Sequence, residues 1–128
     1  MDWGKVTYIF LTLMSLTTTA GFLYEPNIIA LFIAGGVNVI STILKIGVKN
    51  LLAAELLACS LVADLHLIPA FLVFVFTGNM KLVIALAIGA VIANIVSMIL
   101  SMVESLLSII ILLQNIMRYI LKILNVNK

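Results

Sequence analysis

Long stretches without any charged residue are the feature that most limits what this chain can fold into. Nineteen uncharged residues separate Lys5 from Glu25, and nineteen more separate Glu25 from Lys45. Farther along, twenty-two uncharged residues separate Lys81 from Glu104. Each stretch is about as long as the ~20 residues that an α-helix needs to cross a bilayer. A further apolar segment lies between Asn50 and Thr77. Together the four segments predict four transmembrane helices, at about residues 6–24, 27–44, 51–77 and 81–103.

The composition supports this prediction, because 65% of the residues are hydrophobic and only 9% are charged. Soluble domains have about 45–50% apolar and about 25% charged residues. We therefore expect an all-α integral membrane protein. The net charge of +2 and the lack of basic tracts argue against a nucleic-acid partner. The single cysteine and the absence of any catalytic motif predict no enzyme activity, no metal site and no cofactor.

The basic residues predict which ends of the helices face the cytoplasm. With four spans, six of the seven basic residues fall on the side of the chain termini, and the seventh, Lys81, falls on the other side. Short loops that carry Lys and Arg remain in the cytoplasm. We therefore expect both termini in the cytoplasm. The six residues on that side are Lys5, Lys45, Lys49, Arg118, Lys122 and Lys128.

The last predicted helix is too long for one membrane crossing. No Pro follows Met80 and no Gly follows Gly89, so one helix to about Asn125 would be roughly 70 Å long. We expect residues 105–128 to extend into the cytoplasm as an amphipathic or coiled-coil segment. Its apolar residues repeat every seven positions in two series, which begin at Leu106 and at Ile109. Two alternatives are a fifth span over 105–124, against the charge rule, and a helix lying flat with its basic residues toward headgroups.

Polar residues recur along this last helix in alternating steps of three and four. They are predicted to line an ion path, with Glu104 as a charged ring near its cytoplasmic mouth. The other interpretation of the serines is close helix packing, which the small residues Ala85, Gly89 and Ala93 also favour. The candidate path residues, called the polar seam below, are Asn94, Ser97, Ser101, Glu104 and Ser108.

Three ionisable residues interrupt the third apolar segment. Glu55 falls near the cytoplasmic end, where the simplest expectation is an ion pair with Lys45 or Lys49. Asp64 and His66 fall near mid-membrane, about 200° apart around a helix, so they do not form a ligand pair.

Together with Asn38, Asp64 and His66 are predicted to form an intramembrane polar layer. The simplest interpretation of His66 is a neutral imidazole bonded to a hydroxyl or a carbonyl. Asp64 is either a structural clasp, hydrogen-bonded to Asn38 or Asn94, or part of an ion-binding or proton-carrying site.

Two segments carry a resemblance to a known family. Residues 16–27, "LTTTAGFLYEPN", and residues 51–70, "LLAAELLACSLVADLHLIPA", resemble a small bacterial inner-membrane family that has no assigned function. The resemblance implies a bacterial inner membrane. It supplies no activity and no functional residues.

From the residues, two functions are expected. The first is a homo-oligomeric channel or transport subunit for cations, with the polar seam lining the path. The alternative is a non-conducting accessory subunit that binds and stabilises a larger inner-membrane complex. Membrane lipid, further copies of the chain and another membrane protein are the partners that these functions imply.

Overall fold

The computed structural model describes residues 1–126, which form four α-helices joined by short loops. This confirms the prediction of four helices, and each is long and apolar enough to cross a membrane. Residues 127 and 128 of the predicted extension lie outside the described residues. The helices are α1 (Trp3–Tyr24), α2 (Ile28–Lys45), α3 (Ala53–Thr77) and α4 (Met80–Val126).

Local side-chain chemistry explains where three of these helices begin or end. The carboxylate of Asp2 accepts a hydrogen bond from the backbone N–H of Lys5 at 3.1 Å and caps α1. Asn27 caps α2 in the same way, at 2.8 Å from the N–H of Ile29. Such caps satisfy N–H groups that have no partner within the helix. Gly78, with a φ of 61°, ends α3 in the left-handed conformation that glycine adopts easily.

The four helices form an up-and-down bundle in which each helix packs against two neighbours. Helix α1 contacts α2 and α4, and helix α3 contacts the same two helices. Short loops make consecutive helices antiparallel. As a result, the start of α1, the end of α2 and the start of α3 lie at one end of the bundle, here called the Lys45 end. The opposite end is called the Glu25 end.

The interior of the bundle has an apolar half and a polar half. Toward the Glu25 end, a close-packed apolar cluster brings together residues from all four helices. Toward the Lys45 end, the buried side chains are mostly hydroxyls, amides and charged groups. The apolar cluster consists of Phe22, Leu31, Ala34, Leu67, Ala70, Val83, Ala87 and Ala90.

Helix α4 continues far beyond the bundle. It has 47 residues, and at 1.5 Å per residue its length is about 70 Å. Every side chain from Leu106 to Asn125 is exposed, although most are apolar. Within residues 1–126, nothing packs against this part of α4, which we call the extension.

The small residues predicted to form a packing face have three different environments. Ala93 is buried in the bundle, whereas Ala85 is exposed. Gly89 lies against the ring of His66 on α3. The buried face of α4 instead follows alternating steps of four and three through Val83, Ala87, Ala90, Asn94, Ser97, Ser101 and Glu104.

The close approach of Gly89 to His66 gives a test of the α3–α4 packing. A methyl group added at Gly89 would lie 2.6 Å from Nε2 of His66 and closer still to Cδ2, so the His66 ring or one of the helices must shift. We expect Gly89→Ala to lower the free energy of unfolding by about 1–3 kcal/mol, the usual effect of overpacking. The measurement is unfolding in detergent, followed by circular dichroism.

The matched control is Gly36→Ala on α2, because no atom lies within 4 Å of a methyl group added there. That change should leave the protein as stable or up to about 1 kcal/mol more stable, since alanine favours a helix over glycine. Combining Gly89→Ala with His66→Ala should restore stability. If Gly89→Ala and Gly36→Ala unfold alike, the packing described here is wrong.

Candidate functional site

A buried lysine lies at the centre of the polar half. Lys45 is the last residue of α2, and only 4% of its surface is exposed. Its Nζ donates to Oγ1 of Thr12 at 3.1 Å, to Oγ of Ser97 at 3.0 Å and to Oγ of Ser60. These hydroxyls come from α1, α4 and α3, so each N–H of the ammonium has a partner on a different helix.

One of the three hydroxyls around Lys45, that of Thr12, has further contacts that hold it in place. Oγ1 of Thr12 donates to the carbonyl of Tyr8 at 2.8 Å and lies 2.8 Å from Oγ of Ser41. Ser41 donates to the same carbonyl at 3.1 Å. The Tyr8 ring also faces the ammonium, with its centroid 5.7 Å from Nζ, a distance at which a cation and a ring attract each other.

A buried carboxylate lies beside this lysine site. Asp64 is 7% exposed, and its Oδ1 accepts from Nδ2 of Asn38 at 2.7 Å. Its Oδ2 accepts from Oγ1 of Thr42 at 2.6 Å, a length typical of a hydroxyl bonded to a carboxylate. Both donors belong to α2, whereas Asp64 belongs to α3, so the contact joins these two helices.

The two opposite charges belong to one hydrogen-bonded network, although they do not touch. Ser60 accepts from Lys45 with its hydroxyl, and its carbonyl accepts from Nδ2 of Asn38 at 3.3 Å, which also binds Asp64. No carboxylate among the described residues lies within 4 Å of Nζ of Lys45. The ammonium of Lys45 and the carboxylate of Asp64 are therefore each hydrogen-bonded to neutral groups. Each balances the charge of the other at longer range.

A second carboxylate closes the network at the Lys45 end. Glu104 is 2% exposed, and its Oε2 lies 3.8 Å from Nζ of Lys5. The same oxygen accepts from Nδ2 of Asn50 at 3.3 Å, and this amide also donates to the hydroxyl of Tyr8 at 3.0 Å. Because Tyr8 faces Lys45 as well, it joins the Glu104 contacts to the lysine site.

A separate hydrogen-bonded group lies at Asn94, next to the apolar half. Nδ2 of Asn94 donates to Oγ of Ser15 at 3.2 Å, and Ser15 donates to the carbonyl of Ala34 at 3.1 Å. Oδ1 of Asn94 is buried and has no hydrogen-bond partner among the described residues. Such an orphan acceptor is rare and indicates a place for water or another donor.

Four of the five polar-seam residues lie inside the bundle, and three of these, Ser97, Ser101 and Glu104, belong to the network. Asn94 and Ser97 are fully buried, Ser101 is 4% exposed, and Glu104 is 2% exposed, whereas Ser108 lies on the exposed extension. Any path lined by the four buried residues therefore runs inside one chain, not along an axis between several chains. The reason is that this face of α4 packs against the other helices of its own bundle.

The predicted polar layer is only partly assembled. Asn38 and Asp64 are bonded to each other, but His66 lies outside the network, with Nδ1 2.7 Å from the carbonyl of Val62. Glu55 is exposed and forms no ion pair among the described residues. The expected contact with Lys45 is absent because Nζ of Lys45 points into the bundle.

Sequence reasoning placed Lys45 at the membrane edge and missed its role in the network. A signal was present, because Asn38, Ser41, Thr42 and Lys45 recur in steps of three, one and three along α2. Polar residues at this spacing share one helical face. Since α2 is otherwise apolar, a polar face that includes a lysine indicates that the lysine points inward.

Comparison with known proteins identifies a family and no further relatives. The family of unknown function DUF6394 matches residues 25–105. The match includes Asn38, Lys45, Asp64 and Glu104, but neither α1 nor the extension. No curated protein and no solved structure matches the chain.

The two buried charges can be tested with a double-mutant cycle. Lys45→Met and Asp64→Asn should each destabilise the protein, because each leaves the other charge buried without compensation. The double variant should be more stable than the sum of the two effects predicts, by about 0.5–3 kcal/mol. The measurement is the free energy of unfolding in detergent for all four proteins.

The control cycle replaces Lys45→Met with Lys49→Met. Lys49 is exposed in the loop that follows α2, so its effect and that of Asp64→Asn should add. Additive effects in the Lys45 cycle would show that Asp64 does not compensate this lysine.

Proposed function

The chain belongs to the family of unknown function DUF6394, and from its structure we propose that it is a cation transport subunit of a membrane. The observation that carries this proposal is the buried network of Lys45 and Asp64 inside an apolar bundle. Charged groups within a membrane are costly, and they usually mark ion paths or proton relays. If these groups served only to hold the bundle together, apolar side chains would do so without the free-energy cost of removing charges from water.

The orientation that we propose follows the charges of the chain. Lys5, Lys45 and Lys49 belong to the Lys45 end of the bundle, and Arg118 and Lys122 lie on the extension beyond it. The positive-inside rule then places this end and the extension in the cytoplasm. The resemblance found in the sequence favours a bacterial inner membrane.

The proposed path starts at the Lys45 end. A proton or another cation would first meet Glu104, whose carboxylate lies between Lys5 and Asn50. It would then reach the hydroxyls around Lys45, and Asp64 would compensate its charge. Hydroxyl, amide and carboxylate oxygens are the groups that replace the water shell of a cation in a narrow path.

The apolar half favours gated transport over an open pore. Beyond Asn94, the interior is filled by the apolar cluster, and four of its members are alanines, which let the helices approach closely. A cation that reaches the network cannot continue without a movement of the helices. We therefore propose that the network is open to one side at a time.

The extension supports the proposal that several copies act together. Its exposed apolar side chains recur in two heptads, so it offers two packing surfaces on one helix. Copies of the chain that associate through these surfaces would each keep their own internal path. The two heptads are Leu106, Ile110, Leu113, Met117, Ile120 and Leu124, and Ile109, Leu112, Ile116, Tyr119 and Ile123; in the sequence the second heptad continues to Val126.

Flux measurements in liposomes test the transport function. Purified protein should carry protons, Na⁺ or K⁺ across the bilayer, measured with a pH-sensitive dye and with tracer uptake. Asp64→Asn should reduce the rate at least about tenfold, because a carboxylate inside a transport path cannot be replaced by an amide without loss of its charge.

The control is Ser108→Ala, which changes the seam residue that lies outside the bundle and should leave the rate unchanged. All variants are first compared by gel filtration and circular dichroism. Rates equal to those of protein-free liposomes, or equal rates for wild type and Asp64→Asn, would contradict the transport proposal.

One observation favours a second function, that of a non-conducting accessory subunit. The extension is apolar on most of its surface, yet no other part of residues 1–126 covers it. A larger membrane complex could be stabilised by binding this helix.

Truncation tests the accessory function. A chain that ends at residue 105 should keep its bundle but lose a stoichiometric partner that purifies with the full chain from its native membrane. The same loss should follow from Leu113→Ser with Ile120→Ser, which changes one heptad without shortening the helix. Purification of the full chain alone, with unchanged stability, would contradict this function.

A further inference from the structure

The three hydroxyls around Lys45 have the composition of a cation site. Thr12, Ser60 and Ser97 each direct an uncharged oxygen toward one positively charged atom. Hard cations such as those of the alkali metals bind oxygen ligands of this kind, and they are further stabilised by a carboxylate nearby. Asp64 is that carboxylate. It is connected to the site through Asn38, whose Nδ2 donates both to Asp64 and to the carbonyl of Ser60.

Part of the site does not depend on Lys45 for its position. Oγ1 of Thr12 donates to the carbonyl of Tyr8 and lies 2.8 Å from Oγ of Ser41. Both oxygens of Asp64 are already occupied by donors from α2. If the ammonium left, Thr12 would keep these contacts, Ser60 and Ser97 would stay on the buried faces of α3 and α4, and one positive charge would be missing.

Lys45 is also placed so that its ammonium can leave. It is the last residue of α2, and the loop after it includes Gly47, whose φ of 85° is one that glycine adopts easily. A lysine has a long, flexible stem that can carry its charge to the edge of a membrane. The exposed Lys49 shows that this loop reaches the surface.

A second observation next to the site also indicates a ligand. Among the described residues, the buried Oδ1 of Asn94 has no hydrogen-bond partner, and Asn94 lies one helical turn from Ser97 on α4. It is a further neutral oxygen on the same helix face as one of the three ligands. A bound cation with its water would give this oxygen the partner that the side chains do not provide.

We propose that Thr12, Ser60 and Ser97 form a binding site for a monovalent alkali cation, and that the Lys45 ammonium is its built-in occupant. A cation enters when the Lys45 side chain swings toward the Lys45 end, so one positive charge replaces another and the buried site keeps its balance with Asp64. This inference rests on the proposed transport function. It identifies the transported ion as an alkali cation and the Lys45 ammonium as the group that competes with it.

The first test removes the competitor. Purified Lys45→Ala should be stabilised by NaCl, LiCl or KCl relative to N-methylglucamine chloride at equal ionic strength. A site that fills only in the folded state raises the midpoint of thermal unfolding, here by roughly 5 °C at saturation. Wild type should show no such rise, because its own ammonium occupies the site.

Two variants control this measurement. Lys45→Ala with Asp64→Asn should lose the dependence on the alkali cation, because the compensating charge is gone. Lys49→Ala, which removes an exposed lysine of the same loop, should behave as wild type does. Equal midpoints of Lys45→Ala in all four salts would overturn the inference.

A measurement on wild type keeps the inference testable if Lys45→Ala does not fold. Acetylation of Lys45 by an amine-reactive ester, quantified by mass spectrometry against Lys49 in the same sample, reports how often the ammonium leaves the site. The ratio should rise severalfold with the alkali cation that binds. A ratio unaffected by any of the three cations would overturn the inference.

The outcome for this site is separate from that for transport. If liposome flux depends on Asp64 but no alkali cation binds, the cation site is wrong and transport of protons remains. If an alkali cation binds to Lys45→Ala but wild type carries no flux, the site is supported and the transport function is wrong.

Discussion

An ammonium inside an apolar bundle needs an acceptor for each of its N–H groups, because an unpaired buried charge costs several kcal/mol. Lys45 meets this requirement with one hydroxyl from each of the other three helices. Helix α2 is therefore joined to α1, α3 and α4 at a single depth, and a shift of any helix along its axis would leave a donor unpaired. Much of the remaining structure follows from this constraint, including the hydrogen bond that Asn50 donates to the hydroxyl of Tyr8 at the Lys45 end.

The division of the interior into two halves has the same origin. Polar residues gather around Lys45 and Asp64 because each solvated charge needs several donors or acceptors, which in turn need partners of their own. Once Asn94 is reached, no charge is left to solvate, and alanines and large apolar residues fill the space. A cation held near Lys45 would thus meet a polar route on one side and a closed apolar layer on the other.

The period of the polar seam identified a face of α4, but not the helices that this face contacts. Its period of 3.5 residues describes a real face of the helix, which is buried from Asn94 to Glu104. The pattern cannot tell whether a face meets helices of the same chain or of another copy, because both present similar surfaces. Beyond Glu104 the same face continues to Ser108, where no other part of residues 1–126 packs against it. The reason is that the other three helices reach only to this end of the bundle.

The sequence by itself determined the four apolar helices, their antiparallel order and the length of α4, because span length, turn residues and missing helix breakers are local properties. It also offered Asn38 and Asn94 as alternative partners of Asp64, since all three fall near the same depth, and the structure shows the contact with Asn38. Only the tertiary structure decided that Lys45 turns inward and that His66 stays apart. Those outcomes depend on how each helix rotates against its neighbours, and rotation is set by the sum of many contacts between distant parts of the chain.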